Sequence, residues 1–438
     1  MSLNNFNKSL TKILLKNDDF YGITFLDKID SIEINGILSN IIYGVQDVKP
    51  CECPNCKEKN INFSIVKNGT KDVTVKHLKN FGYNCLIKIK KQRFKCKNCG
   101  KTFMIDIPFL VKRRDRISAG LKLKIAELLK ETISLKFIAK ECGVSISTVA
   151  RIMDSHFSNF KPNFASLPEV LCFDEFKSTK DSDGAMSFNV CDGNSHKIVD
   201  IVEDRKLDSL IEYFGSYSSG ARKKAKFVVI DMYSPYISLI KKCFPGSKII
   251  IDRFHIVQLF NRALNKTRIR VMNNFNKKDH NKYNKLKRYW RLLLKDSYQL
   301  SEKVTYHPYC FKKFISERYI VEELISLDKE LAGSYEVYQN ILYAIRHKNK
   351  TVFENQLTQD KFKIVSNYMQ TSIKSARKFK EYIKNALENP YSNGCMEGNN
   401  NKIKVIKRVS YGYKRFDNFK KRILICDGVL TLKIPSAS

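Results

Sequence analysis

Apolar and polar positions alternate in short runs between residues 169 and 202. The runs are rich in β-branched and aromatic residues, and turns containing glycine separate them. Runs of this kind are typical of strands that pair as hairpins. The pattern predicts an antiparallel meander of three strands, at residues 170–174, 186–190 and 197–202.

Two continuous apolar runs follow, at residues 227–231 and 249–252, and they predict buried strands. Helical periodicity covers residues 207–214 and 236–243, so a helix precedes each of these strands. Three antiparallel strands followed by β-α-β crossovers give the strand order of a ribonuclease H-like fold. We therefore expect a mixed sheet with helices on both faces.

Three aspartates lie at the predicted ends of these strands. Asp231 and Asp252 end the two buried strands, at the edge where open α/β sheets place active sites. Asp174 ends the first strand and can reach the same crevice. Glu175 should point away from Asp174, because side chains alternate along a strand.

A segment near the C-terminus, residues 392–408, has helical spacing and holds one carboxylate among amides and cations. Ser392 or Asn393 can cap this helix. An isolated glutamate on a helix is usually a surface residue, but two earlier aspartates end predicted strands, which is the arrangement that two-metal phosphoryl-transfer enzymes need. One face carries Glu397, Asn400, Asn401 and Lys404, and another carries the apolar Met396, Ile403 and Ile406.

The charge of the chain narrows the class of partner. The 438 residues carry a formal net charge of +35, from 79 Lys and Arg against 44 Asp and Glu. Nucleic acid is the favoured partner, and a basic ribosomal or membrane-surface protein is the alternative. No run of 18 apolar residues and no signal-peptide core occur, so we expect a soluble, intracellular protein of the cytoplasm.

Thirteen cysteines in an intracellular protein do not predict a disulfide framework, but four of them form two C-x-x-C motifs. Cys53-Pro-Asn-Cys56 and Cys96-Lys-Asn-Cys99 can supply four thiolates to one tetrahedral zinc ion, which predicts a zinc ribbon. The alternative is a pair of reduced surface thiols. Cys51 lacks the two-residue spacing, and Cys85 is expected in a core.

Residues 119–153 have amphipathic helical spacing, with a glycine turn at 143–145. A helix, a tight turn and a second helix capped by serine are typical of a helix-turn-helix. Helical bundles without a DNA role share the pattern, but the zinc ribbon and the charge favour DNA binding. The residues expected to face the DNA groove are Ser147, Thr148 and Arg151.

Residues 257–390 have helical spacing and interrupt the catalytic fold before its last helix. Within them, residues 261–296 are strongly basic, with Tyr283, Tyr289 and Trp290 interleaved among the cations. Such mixtures suit DNA backbones and unpaired bases. The alternative is a solvated helix face with Trp290 in the core.

The predicted fold class is multidomain α+β. The first segment is predicted to be a small helical arm because it carries the apolar positions Ile13, Leu14, Leu15 and Phe20. The predicted segments are the arm at 1–50, the zinc ribbon at 51–110, the helix-turn-helix at 111–160, the first part of the catalytic domain at 165–256, the helical insertion at 257–390 and the last catalytic helix, with Glu397, at 391–438.

These motifs resemble those of the DDE transposases of the ISL-three family of bacterial insertion sequences. The resemblance runs almost end to end, and its most specific block starts at Glu397-Gly-Asn-Asn-Asn and continues to Arg408, Gly412 and Arg415. It implies a catalytic triad of Asp174, Asp231 and Glu397.

Two further elements follow from the resemblance. Asp252-Arg-Phe-His255 is similar to a D-x-x-H element of related transposase groups. Asn400 best matches the family's asparagine three residues after the glutamate.

The resemblance implies cut-and-paste or related DNA transposition. Two Mg2+ ions (or Mn2+), about 4 Å apart on the triad carboxylates, would assist water in cutting the element end and the freed 3′-hydroxyl in attacking target DNA. His255 would contact a phosphate or stabilise the local fold. The implied partners are terminal inverted repeats and target DNA, bound by a homo-oligomer that is at least a dimer.

Two other functions stay open from the sequence. A regulator built from a zinc ribbon and a helix-turn-helix would explain the charge and the cysteines but not the three acids. A ribonuclease H-like nuclease or resolvase would use the same acids without strand transfer.

Overall fold

The computed structural model describes residues 22–429, apart from residues 35, 47, 81, 107–114, 158–161, 308 and 359–363. The chain divides into two compact units, which are Met1–Lys161 with Ile403–Ser438, and Pro162–Lys402. None of the helices in the described ranges is long and apolar enough to cross a membrane.

A five-stranded sheet forms much of the first unit. Its strands are β1 Ile23–Ile34, β2 Ile37–Gln46, β3 Ile65–Asn80, β4 Tyr83–Cys96 and β5 Thr102–Met104. The order is β1-β2-β4-β3, with β5 paired to β4. The buried side chains of β2, β3 and β4, including Ile42, Val75 and Cys85, form the core of this sheet, as expected for Cys85.

The helical arm predicted for residues 1–50 is wrong over residues 23–46. These residues form the β1–β2 hairpin, and β2 then pairs in parallel with β4. Buried positions in β2 recur at every second residue near its end, which is strand periodicity. Ile13, Leu14, Leu15 and Phe20 lie outside the described residues.

Three helices follow as predicted, α1 Ala119–Leu128, α2 Leu135–Glu141 and α3 Ile146–Phe157. Ser118 and Ser134 cap the first two by accepting hydrogen bonds from backbone N–H groups. Gly143, between α2 and α3, has a φ of +61°, a left-handed conformation that favours glycine. The helix-turn-helix geometry is therefore confirmed.

The second unit contains a mixed five-stranded sheet. Its strands are β6 Val170–Lys177, β7 Met186–Asp192, β8 Ile198–Val202, β9 Phe227–Ile230 and β10 Lys248–Ile251. The order is β10-β9-β6-β7-β8. Strands β6, β7 and β8 form an antiparallel meander, as the sequence predicted. Strand β9 pairs in parallel with β6, and β10 pairs in parallel with β9.

Helices pack around this sheet. Leu171 and Phe173 of β6 share a core with Phe214 and Leu239, which lie on the two main helices after the meander. The helices of the second unit are α4 Leu207–Gly215, α5 Ser219–Lys224, α6 Ser234–Cys243, α7 Arg253–Phe275, α8 His280–Arg288, α9 Trp290–Leu294, α10 Glu317–Ile325, α11 Lys329–Arg346, α12 Lys350–Asn355, α13 Asn367–Lys378, α14 Lys380–Glu388 and the start of α15 Gly394–Val409.

Residues 257–390 are mainly helical, as predicted, with two differences. Helix α7 starts at Arg253 and crosses the predicted boundary at residue 257 without a break. A two-stranded hairpin, β11 Thr305–His307 and β12 Lys313–Ile315, was not predicted, because its strands are only three residues long.

The last described helix is α16 Phe416–Cys426. The sequence predicted that residues 391–438 belong to the catalytic fold, but this helix packs in the first unit. Its Ile425 lies in the core of the helix-turn-helix. Arg422 is 1% exposed and donates hydrogen bonds to the backbone carbonyls of Leu129, Glu131 and Ile133. Leu129 is the C-cap residue of α1, and the other two carbonyls lie in the connection to α2, so Arg422 holds the end of α1 and this connection together.

We expect Arg422→Met to destabilise the helix-turn-helix by about 3 kcal/mol, because buried carbonyls lose a charged donor. Hydrogen exchange of the α1 and α3 amides measures this change in the full chain. Arg415→Met, at the exposed start of the same helix, is the control and should leave exchange unchanged. Equal exchange in the two variants would contradict the assigned role.

Candidate functional site

The carboxyl edge of the second-unit sheet brings the predicted aspartates together. Asp231 directly follows β9 and Asp252 directly follows β10, as the sequence predicted. Asp174 lies inside β6 rather than at its end, because the hairpin with β7 continues to Lys177. The parallel pairing of β6 with β9 ends at Cys172, so Asp174 already lies beyond that ladder.

Glu175 faces away from Asp174, as strand alternation predicted. Its carboxylate forms an ion pair with Arg205 and accepts a hydrogen bond from the hydroxyl of Tyr236. Tyr236 belongs to the core between the sheet and its helices. Asp174 therefore lies on the opposite face of β6 from this core.

Two side chains hold Asp231. His255, in the first turn of α7, donates from Nε2 to Asp231 Oδ1 at 2.9 Å. Asn393 donates from Nδ2 to the same oxygen at 3.4 Å and to the carbonyl of Phe173 at 3.0 Å. Both contacts use one oxygen of the Asp231 carboxylate.

Asp252 has a different environment. It is 7% exposed and is the N-cap residue of α7. Its Oδ1 accepts a hydrogen bond from the backbone N–H of Asn393 at 3.3 Å. Asp252 thus joins the start of α7 to the segment that leads into α15.

Asp174, Asp252 and His255 have pKa values that the site shifts from their ordinary range. Burial raises the pKa of Asp174 to about 6, and the neighbouring Asp231 carboxylate acts in the same direction. Burial also raises the pKa of Asp252. The hydrogen bond to Asp231 raises the pKa of His255, which favours the charged imidazolium. Perturbed groups of this kind cluster at functional sites.

Helix α15 reaches the same edge through Asn400. Its Nδ2 donates to Asp174 Oδ2 at 2.6 Å, and its Oδ1 accepts from Asn189 of β7 at 3.4 Å. Glu397 lies three residues earlier, in the first turn, and its side chain is exposed. Met396, Ile403 and Ile406 are buried, as predicted. The helix therefore places Glu397 one turn from a direct contact with Asp174.

Sequence reasoning missed Asn189 and Asn393 as site residues. Asn189 is fully buried between the apolar Phe188 and Val190 of β7, directly opposite Asp174 in the β6–β7 register. A polar residue in the buried part of a predicted strand needs a hydrogen-bond partner, so it could have indicated a site residue. Asn393 was considered only as a helix cap, and nothing in the sequence links it to an aspartate 162 residues earlier.

The four predicted zinc ligands converge in the first unit. Their Sγ atoms all lie within 4.8 Å of one another. The Sγ atoms of Cys53 and Cys99, and those of Cys56 and Cys96, are 3.7 Å apart. Tetrahedral coordination with Zn–S bonds of about 2.3 Å requires separations of about 3.8 Å. Cys51 is exposed and outside this cluster, which is consistent with structural Zn2+ on the other four.

The three residues expected in the DNA groove differ in exposure. Ser147 and Arg151 are exposed on α3. Thr148 is only 9% exposed, and its hydroxyl is hydrogen bonded to Ser145 and Arg151. Thr148 therefore supports the start of α3, and only the other two present free surface there.

The aromatic residues predicted for a basic DNA surface are half-buried. All three have intermediate exposure: Tyr283, Tyr289 and Trp290. The structure therefore matches neither the predicted exposed DNA surface nor the alternative with Trp290 in the core. The Arg291 guanidinium lies 5.3 Å from the Trp290 ring. More exposed rings occur nearby, at Tyr298, Tyr306, Tyr309 and Phe314.

Three family models match successive segments of the chain. The model for a transposase of the ISL3 group, which is the ISL-three family, matches residues 171–423, more than half of the chain. The chain belongs to the ISL3 family of transposases. A zinc finger of transposases related to IS204, IS1001, IS1096 and IS1165 matches residues 49–99, and the family's helix-turn-helix matches residues 105–156.

Two curated proteins are similar to this ISL3-family chain. The transposase for insertion sequence element IS1001 from Bordetella parapertussis is 23% identical over 356 residues, 80% of this chain and 83% of that protein. A protein of Lactococcus lactis subsp. lactis named as an ATP-dependent protease is 42% identical over 121 residues, 27% of this chain. The chain spans 38% of the length of that second protein.

We expect the freshly purified, reduced transposase to hold one zinc ion, and Cys96→Ser to loosen the zinc ribbon. Loss of one of four thiolates weakens binding that is coupled to folding. Metal analysis by mass spectrometry and hydrogen exchange measure the two effects, and the second unit should keep its exchange rates. Cys51→Ser is the control, since Cys51 is exposed. Zinc-free wild-type protein would contradict this prediction.

Proposed function

We propose that this transposase catalyses Mg2+-dependent cleavage at the ends of an insertion sequence and transfer of the cut strand to target DNA. The proposed catalytic residues are Asp174, Asp231 and Glu397. The contact from Asn400 to Asp174 is the observation that carries the proposal, because Asn400 lies one turn after Glu397 on α15. It links the helix with the glutamate to the strand with the first aspartate.

The donor atoms at this edge suit a hard divalent cation. Carboxylate and amide oxygens are the ligands that Mg2+ prefers. The pKa of Asp174 is raised by burial and by Asp231, so a cation there would stabilise the ionised carboxylates. In the described part of the chain, the Oδ1 atom of Asn393 is buried without a hydrogen-bond partner, which is a further oxygen donor.

The chain's own residues position this chemistry. His255 and Asn393 fix one oxygen of Asp231, and Asn400 orients Asp174. Bound Mg2+ would stabilise the charge that develops on the attacking and leaving oxygens. His255 acts on Asp231 rather than on the DNA, so it is a positioning residue. Catalysis then rests on positioning and electrostatics, without a covalent enzyme intermediate.

The strand order supports a ribonuclease H-like catalytic domain. Three antiparallel strands joined by two parallel strands, with acids after β9 and β10, match the order expected for residues 165–256. We propose that residues 257–390 are an insertion into this domain. The last catalytic helix is α15, whereas α16 belongs to the DNA-binding module, because Ile425 lies in the helix-turn-helix core and Arg422 binds the connection between α1 and α2.

The proposed partners are double-stranded terminal repeats and target DNA, bound by an oligomer. The exposed Ser147 and Arg151 of α3 support recognition of base edges by the helix-turn-helix. The net charge of +35 supports contacts with phosphates.

A strand-transfer assay tests the proposed function. End-labelled DNA carrying one element terminus is incubated with the transposase, Mg2+ and an unlabelled target plasmid. We expect the label to become covalently joined to the plasmid. Cleavage without joining would support a nuclease or resolvase, and binding without cleavage would support a regulator.

A further inference from the structure

A pocket of about 600 Å3 opens at the same sheet edge as the carboxylates. Three connections line it, and they contribute Ala185 before β7, Arg205 after β8 and Tyr233 after β9. Strands β6, β8 and β9 run in one direction, so these connections meet at the edge where Asp174 and Asp231 lie. The volume is in the range of small-ligand pockets.

The pocket lies on the opposite face of β6 from α15. Arg205 pairs with Glu175, the neighbour of Asp174 that faces the core. Asn400 of α15 contacts Asp174 itself. Neighbouring residues of β6 therefore contact the two sites, since Asp174 belongs to the proposed metal site and Glu175 binds Arg205 of the pocket lining.

The charges that line the pocket are paired. Arg205 is bound to Glu175, and Lys206 Nζ lies 3.5 Å from Asp204. The remaining lining includes Met186, Leu207 and Pro235. A pocket with apolar walls and paired charges favours a neutral flat ligand over a phosphate group.

Tyr233 offers a fixed aromatic ring. It is 39% exposed, and the Arg205 guanidinium lies 5.6 Å from its ring centroid. Tyr236 packs edge-on against it at 5.0 Å. The backbone N–H of Tyr233 donates to the carbonyl of Asp231 at 2.7 Å, so the ring is held two residues from a proposed metal ligand.

We propose that this pocket receives one unpaired DNA base next to the cleaved phosphodiester, stacked on Tyr233. Every base has an aromatic face, and base stacking on a tyrosine is tolerant of sequence. Enzymes that modify a base move that nucleotide out of the duplex stack and into a pocket, so a protein pocket can hold a single base beside duplex DNA. This inference rests on the proposed function, because it places a DNA end at the carboxylates.

Photocrosslinking tests the contact without requiring cleavage. 5-Iodouracil replaces one nucleotide at a time around the element terminus, and the full chain is bound with Ca2+ in place of Mg2+. We expect crosslinking from one position, mapped by mass spectrometry to Tyr233. Tyr233→Ala should lose this crosslink and Tyr233→Phe should keep it. Formation of the complex without a crosslink to the pocket would overturn the proposal.

Tyr368 provides a matched control. It is 43% exposed and has the Lys266 ammonium 5.8 Å from its ring centroid, yet it lies on α13, away from the pocket. Tyr368→Ala should retain both the crosslink to Tyr233 and the wild-type cleavage rate.

A kinetic test separates stacking from a purely structural role. Tyr233→Ala should lower the cleavage rate about tenfold on ordinary DNA. On DNA that lacks the base at the crosslinked position, the wild type and Tyr233→Ala should cleave at the same rate. A persistent tenfold difference would contradict stacking. If the wild type does not cleave at all, the proposed function fails, whereas crosslinking still decides the pocket.

Discussion

Asp174→Asn and Asp231→Asn should each lower Mg2+-dependent cleavage and strand transfer by roughly a thousandfold or more. Each change keeps the shape of the side chain but removes a charge that would hold the cation. Glu397→Gln should have the same effect. Binding to element ends should stay close to that of the wild type, which gel-shift titration with labelled DNA measures alongside the cleavage assay.

Glu175→Gln is the control for this series. Glu175 pairs with Arg205 and Tyr236 on the opposite face of β6 from Asp174, and the amide oxygen of Gln keeps one acceptor. We expect the variant to retain a large part of the activity, within about tenfold of the wild type. If Glu175→Gln lost as much activity as Asp174→Asn, removal of any carboxylate charge at this sheet edge would inactivate the enzyme, and the loss would not identify the metal ligands.

Asp252→Asn separates the two candidates for the second carboxylate. Asp252 accepts a hydrogen bond from the Asn393 backbone and starts α7, whereas Asp231 receives two side-chain donors on one oxygen. These contacts favour Asp231 as the metal ligand and Asp252 as a positioning residue. An active Asp231→Asn enzyme, with a dead Asp252→Asn enzyme that binds normally, would reverse the assignment.

Removal of the first unit should abolish selective binding to element ends. The fragment of residues 162–409 lacks the zinc ribbon and the helix-turn-helix, and it also lacks α16, which would otherwise expose Ile425. Residues 261–296 still carry twelve Lys and Arg against two Asp and Glu, so nonspecific binding should remain. The affinity of this binding should fall steeply as the salt concentration rises, because binding releases the cations condensed on the DNA.

Competition between terminal and random DNA at two salt concentrations measures this loss. The ratio of affinities should fall to about one in the fragment. In the full chain, Arg151→Ala should reduce selectivity by roughly 1–3 kcal/mol, the typical contribution of a specific base contact. A fragment that still prefers terminal DNA would place recognition in residues 257–390.

Local sequence patterns were enough to predict the two buried strand ends and the cysteine cluster. The apolar runs before Asp231 and Asp252 end where the polar residue begins, so both strand ends were predictable. The spacing of the four cysteines also predicted their cluster. Asp174 was misplaced at a strand end because hairpin length depends on β7, which pairs onward to Lys177.

Contacts between distant segments were not predictable in the same way. Asn393 and Asp231 are 162 residues apart, and only the folded sheet edge brings them together. Arg422 has the sequence context of a surface cation on an amphipathic helix, yet it is buried against carbonyls 289 to 293 residues earlier. Residues 37–46 form a strand where the sequence predicted a helical arm. The strand was hard to predict because its parallel partner, β4, lies far along the chain.

The central claim is that Asp174, Asp231 and Glu397 together hold the two catalytic cations. Anomalous diffraction from a crystal of the transposase with a terminal DNA and Mn2+ locates these cations directly. We expect two anomalous peaks about 4 Å apart, with a carboxylate oxygen of each of the three residues about 2–2.5 Å from at least one of them. A peak bound by Asp174, Asp231 and Asp252, with Glu397 outside coordination distance, would contradict the account.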